Sequence, residues 1–286
     1  PQKPPSSPSS PPQPSPPPPS LQLPSPPPSM PPQLSPPLAF TYFIFLFAHI
    51  PAGIGWGSSG PIGGIHAQLI EKHSGKIISP YYAMGFNIGI FVGGILAGFI
   101  LVNGFNPTFV FFILFIISII AAIIIYLNAL PNELDFKGQG EKLKLPERNV
   151  LVFGFLLFVI FGSNGIIIDW SALWFTKELN APLYLASLGL IFLSFGGIFA
   201  NLFSNQLIKL FSEKIVGCYF VIFGSIILFS SIIIGNFYLI LITFLIYGFA
   251  TANLVPIIIR QAVKHSSESI PTTVTNLITM GFSALL

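Results

Sequence analysis

The sequence predicts an all-α protein, a polytopic bundle of membrane-spanning helices, and three observations carry that prediction. Of its 286 residues, 52% are hydrophobic and 7% charged, and the mean hydropathy is +0.80, whereas a soluble domain of ordinary composition carries about 25% charged residues. The apolar residues gather into continuous runs, each near the roughly 20 residues that a helix needs to cross the hydrocarbon core. Lys and Arg recur on every second connection between those runs, the pattern left by alternate exposure to the two faces of a membrane. Transmembrane β-strands would alternate apolar and polar residues over about ten positions. These runs are unbroken and far longer.

Residues 1–37 are nearly all Pro, Ser, Gln and Leu; proline favours polyproline II, and so few apolar groups cannot offset the entropy of ordering, so a disordered Pro-rich tail is expected. Its PxxP-like spacings are those of any proline-rich run. It lacks the basic segment and apolar core of a signal peptide, and because it starts at Pro1 the chain reads as a fragment or a processed form. Eight apolar runs come next. The first extends from Leu38 to about Ile70 and is interrupted by Pro51, Pro61 and many glycines; the second covers Ile78 to Val102 and the third Thr108 to Leu130. A polar connection over 131–148 carries four acidic and four basic residues. Asn149 to Thr176, Tyr184 to Phe211, Ile215 to Ile234 and Phe237 to Val263 form the fourth to seventh runs, and an eighth begins near Ile270 and stops at Leu286. Three spans thus occupy 38–130 and five occupy 149–286, the last incomplete. Glycines four apart, at 53 and 57, 60 and 64, 89 and 93, and 94 and 98, share a helix face and permit close backbone approach, so the first two spans are expected to press together, with bends at the prolines.

Charge counting tests this segmentation. One alternate set of connections holds Lys72, Lys76, Lys137, Lys142, Lys144, Arg148, Lys209, Lys214, Arg260 and Lys264; the other holds Lys177 alone. The rich set is assigned to the cytoplasm, which places the 131–148 loop inside and the Pro-rich tail outside. The net charge of +3 is therefore a topology signal, and no nucleic-acid partner is expected. Arg260 and Lys209 lie near helix ends and are expected to snorkel to the headgroups. The single cysteine, Cys218, excludes a disulfide framework and a Cys-based metal site.

Asp169 is the only carboxylate set well inside an apolar run, where an unpaired charge costs several kcal/mol. Two readings stay open: a solvated rim acid beside the interfacial anchors Trp170 and Trp174, or a carboxylate that exchanges a proton or bonds a hydroxyl-rich solute, with Trp170 stacking on a sugar face. Further polar groups at depth are His49, His66, Gln68, Asn87, Asn164, Asn201, Asn205, Thr251, Asn253 and Asn276, while the third and sixth runs have almost none and should face lipid. Asn164, Asn87, His66 and Asn253 join Asp169 and Trp170 as candidates for the solute and proton pathway. Taken singly, an intramembrane Asn accounts for no more than an interhelical hydrogen bond of about 0.6 kcal/mol, and His66 and His49 fit structural bonds equally well. No second acid, His cluster or nucleophile stands at catalytic spacing, so an enzyme is not expected.

Several motifs carry a resemblance. Gly55, Gly57, Gly60, Gly63 and Gly64 lead into Ile65-His66-Ala67-Gln68; Gly75-Lys76-Ile77 is followed by Tyr81-Tyr82-Ala83 and Asn87-Ile88-Gly89; Asp169-Trp170-Ser171-Ala172-Leu173 comes next; and Gly248 leads through Ala252 and Asn253 to Pro256. In order and spacing the chain resembles the major facilitator superfamily and, more narrowly, its bacterial fucose-permease-like branch. The resemblance implies a bundle of the major-facilitator type, truncated at both ends, whose spans correspond to family helices four to ten and the start of eleven. It makes 38–130 a remnant of the N-terminal half and 149–286 the C-terminal half. The family's substrate and proton groups on its first helix have no counterpart here. Tyr82 and His66 replace the family's His and Asn, and Asn201, Asn205 and Gln206 stand where basic residues are usual, leaving Lys209. The implied function is secondary active transport of a small polar solute, with a sugar and a coupled proton as candidates, by a multi-pass protein of the cell membrane; no cofactor is implied. A non-transporting remnant and an efflux pump of the same fold remain the alternatives.

Overall fold

The computed structural model describes residues 42–127 and 146–285; the expected tail and nearly all of the 131–148 connection lie outside them. Residues 1–45 form one unit, of which only the first turn of a helix is described, and Leu46–Leu286 form the other. The packed bundle lies within the second.

Ten α-helices appear among the described residues: α1 Tyr42–Ser74, α2 Ser79–Asn103, α3 Pro107–Leu127, α4 Arg148–Lys177, α5 Leu188–Leu202, α6 Ser204–Lys214, α7 Phe220–Ile234, α8 Phe237–Thr251, α9 Leu254–His265 and α10 Ile270–Phe282. α8 and α9 together cover the seventh expected run, whereas α5 ends at Leu202 and α6 falls with α7 in one apolar segment, Ser204–Ile234, across the boundary expected between the fifth and sixth runs. Five segments are long and apolar enough to cross a membrane: Ser79–Ile100, Arg148–Lys177, Leu183–Leu202, Ser204–Ile234 and Phe237–His265. With no strand among the described residues, this is an all-α membrane helix bundle.

The ends have local causes. Pro80 stands in the first turn of α2, where its missing N–H costs nothing, and Gly104, at φ 65°, closes that helix with its N–H on the Ile100 carbonyl, a left-handed cap that favours glycine. Asn236 caps α8 by accepting from the Leu239 N–H at 3.1 Å. α1 continues through Pro51 and Pro61. Ser212, at φ 68° and ψ 157°, marks the reversal from α6 into a π-helical turn, Ile215–Tyr219, that opens α7.

Packing differs from the expectation for the glycines. Gly53, Gly57, Gly89 and Gly93 meet nothing within 4 Å, Gly60 and Gly64 face Phe282, Ile278 and Val274 of α10, and Gly94 and Gly98 face Ile191 and Ser187. Among the described glycines of α1 and α2, only Gly63 meets the other helix, at Tyr82. Four-residue spacing reports that a face packs closely but does not name its partner. The tightest approach is between α5 and α8: a Cβ at Gly196 would lie 2.0 Å from the Leu245 carbonyl oxygen, and one at Gly248 2.0 Å from that of Leu193. One core joins α4, α9 and α10 around Val150, Leu157, Ile258 and Leu277; another joins α4, α5, α7 and α8 around Phe175, Leu193, Ile240 and Phe244. Every described side chain of α3 is exposed, as expected of a lipid-facing span. α7 is exposed on one side only, and on its other side Ser231 bonds Thr243 of α8 at 2.7 Å.

Candidate functional site

The end of the bundle at which α1 stops and α2 starts carries a linked set of charges. Glu71, in the last turn of α1, accepts from the Ile78 and Ser79 backbone N–H groups at 2.7 Å each and from the Ser79 hydroxyl, so its carboxylate neutralises the N-terminus of α2. The Glu71 Oε2 atom also takes Gln68 Nε2 at 3.3 Å and lies 3.6 Å from Arg260 Nε of α9. The other face of the guanidinium pairs with Glu213, whose second oxygen accepts from Gln261 Nε2. One arginine thus holds two carboxylates, and the three side chains keep 18%, 11% and 23% of their surface for Arg260, Glu71 and Glu213. This is a semi-buried ion cluster joining α1 and α2, which precede the polar connection, to α6 and α9, which follow it. The expectation that Arg260 only snorkels is corrected here: the guanidinium turns inward because two carboxylates stand within reach.

About two helical turns along α9 from Arg260, roughly 10 Å, lies a layer of uncharged polar groups. Asn253 donates through Nδ2 to the Ala200 carbonyl at 3.1 Å. Asn253, Asn201 and Ser204 are 1%, 0% and 2% exposed, and both amide atoms of Asn201, Asn253 Oδ1 and Ser204 Oγ have no hydrogen-bond partner among the described residues. They occur where α5 gives way to α6 and α8 to α9. Asn87, half-buried on α2, donates to the Ala83 carbonyl at 3.1 Å and packs against Gly197 of α5.

Two of the six sequence candidates, Asn87 and Asn253, are therefore brought to neighbouring turns of α5. The other four are not gathered with them. His66 and Asn164 are half-buried on α1 and α4, without a side-chain hydrogen bond among the described residues, and Asp169 is exposed. Trp170, 61% exposed, lines a groove of about 560 Å3 with Trp174, Lys177 and Glu178 at the opposite end of the bundle. Glu71, Glu213 and Gln261 are groups of this candidate site that sequence reasoning missed. Their signal was faint: Arg260 lies seven residues after Asn253, on the same helix face, and Glu71 three after Gln68.

A polytopic membrane helix bundle with polar groups buried between its helices is an architecture that membrane transporters share with other membrane proteins, so the class rests on comparison with known proteins. The Major Facilitator Superfamily profile matches residues 32–285, and the chain belongs to that family, whose members are transporters and not enzymes. It is 28% identical over 233 residues to an uncharacterized MFS-type transporter of Yersinia pestis, a match covering 78% of this chain and 58% of the relative. The chain thus spans little over half the length of that curated relative. No solved structure matches it.

Proposed function

We propose that the protein works as a secondary transporter of the fucose-permease-like branch, moving a small polar solute, a sugar being the class that best suits its groups, by alternating access at the cell membrane. In this reading α1–α3 belong to one half of the transporter and α4–α10 to the other, the basic end faces the cytoplasm, and the bilayer and the solute are its partners. The observation that carries it is the Arg260 cluster. Alternating access requires contacts that hold one end shut and still break in each cycle, and a partly exposed ion pair, worth far less than a buried one, suits that demand. Glu71 and Glu213 come from opposite sides of the proposed division.

The uncharged layer of Asn87, Asn201 and Asn253, with Ser204, supplies donors and acceptors for solute hydroxyls once the covering helices part. Asp169 and Trp170 serve at the opposite end, where an exposed carboxylate can exchange protons and an indole can stack on a sugar ring. His66 and Asn164 complete the pathway.

The test is uptake of radiolabelled hexoses and deoxyhexoses by vesicles bearing the protein, with and without an imposed proton gradient. Gradient-driven uptake that falls at least tenfold in Asp169→Asn is expected. Undiminished uptake in that variant removes Asp169 from the mechanism, uptake indifferent to the gradient removes the proton, and accumulation only in inverted vesicles favours efflux. Transport of none of these sugars would argue against a sugar as the solute.

A further inference from the structure

Ser212, two residues before the end of α6, keeps a backbone that its residue type disfavours. Its φ of 68° and ψ of 157° form a combination essentially confined to glycine, because a Cβ there crowds the adjoining peptides. Asn180, at φ 52°, is the other non-glycine with positive φ among the described residues, and asparagine enters that half of the map far more readily. The Ser212 side chain offers nothing in return: it is exposed, and its hydroxyl makes no hydrogen bond among the described residues.

The neighbours of Ser212 hold it there. Before it, the Phe211 ring meets that of Phe220 on α7, with centroids 5.5 Å apart. After it, Glu213 is gripped by Arg260 and Gln261 of α9, and Val216, 1% exposed, seats the π-helical turn that follows. A strained residue persists only where its surroundings over-determine it, and such residues gather at switches, as π-turns do at functional positions. The Phe211 and Val216 contacts are apolar packing. The Glu213 contact is polar, partly exposed at 23%, and draws on a guanidinium that Glu71 also approaches, so it is the constraint most readily released.

We propose that Ser212 is a strained hinge, held by the Glu213 contacts and driving the end of α6 away from α9 once they break. Strain that exists only while α6 and α9 are joined counts against the joined state, so the Arg260 cluster stands nearer to opening than its contacts alone would set it. The use of that opening in a transport cycle rests on the reading above; the strain and its dependence on Glu213 do not.

The test is hydrogen–deuterium exchange of segment 210–219 in the purified full chain in detergent, read as protection factors by mass spectrometry. Ser212→Gly relieves the backbone, and Glu213→Ala removes the grip while leaving Arg260 paired one to one with Glu71, so the bundle keeps its fold. Ser212→Gly should slow exchange by about fivefold or more beyond whatever it does in the Glu213→Ala background. That comparison cancels the extra freedom that glycine gives the opened segment in both backgrounds. Ser212→Ala, which loses the hydroxyl and keeps the Cβ, should exchange like the wild type. An equal effect of Ser212→Gly with and without Glu213 would overturn the proposal, and so would slowing by Ser212→Ala as great as that by Ser212→Gly. The measurement involves no solute, so its outcome and that of the uptake experiment are independent.

Discussion

Arg260 holds two carboxylates with one guanidinium, so its removal leaves Glu71 and Glu213 facing each other without a counter-charge. An exposed pair is worth about 1 kcal/mol or less, and breaking a buried one costs about 3–5 kcal/mol; with side-chain exposures of 11–23%, Arg260→Ala should cost about 2 kcal/mol. Thermal unfolding in detergent checks this, and adding Glu213→Gln to the variant should recover part of the loss, because an amide tolerates the missing cation. Pairings of this kind were hard to read beforehand. Asp169 drew notice because it interrupts an apolar run, yet it is exposed, while Glu71 and Glu213 lie at run ends among lysines and looked like ordinary solvated charges.

Helix ends and helix contacts make their own demands. Glu147, just before α4, accepts from the Ser267 hydroxyl and from its backbone N–H, at 3.3 Å, while the Glu147 N–H donates to Glu268 at 3.0 Å, so the start of α4 is tied to the turn between α9 and α10. The Ser267 hydroxyl first, and its backbone N–H second, hold the Glu147 carboxyl below the usual carboxylate range. A carboxyl lowered in the folded state stabilises it above the unfolded value and loses that effect as pH falls through the folded one. The melting temperature of Ser267→Ala should therefore lie below that of the wild type at neutral pH, and the gap should close on acidification. Between helices, the α5–α8 contact leaves no room for a side chain at Gly248. Overpacking typically costs 1–3 kcal/mol, occasionally more, and here backbone is struck, so Gly248→Leu should cost about 3 kcal/mol or more and be seen as loss of the monodisperse peak on size exclusion. The apolar segments were legible because hydropathy acts locally; the partners of Gly94 and Gly98 were not, because a small-residue stripe fits any close neighbour.

For the bundle as a unit, the proposed topology puts Lys76 and Lys177 on opposite sides of the membrane. In a Cys218→Ser background, Lys76→Cys should label with an impermeant maleimide only in inverted vesicles, and Lys177→Cys only in right-side-out ones. Labelling of both from one compartment would overturn the segmentation and the transport reading with it.

Hydropathy and composition determined that this is an all-α membrane bundle and roughly where its apolar segments lie, since a bilayer samples those properties residue by residue along the chain. The union of Glu71, Arg260 and Glu213, the burial of Asn201 and Asn253 and the exposure of Asp169 came from tertiary packing. Each depends on which helix lies beside which and how each is rotated, and no single helix's pattern specifies its neighbour.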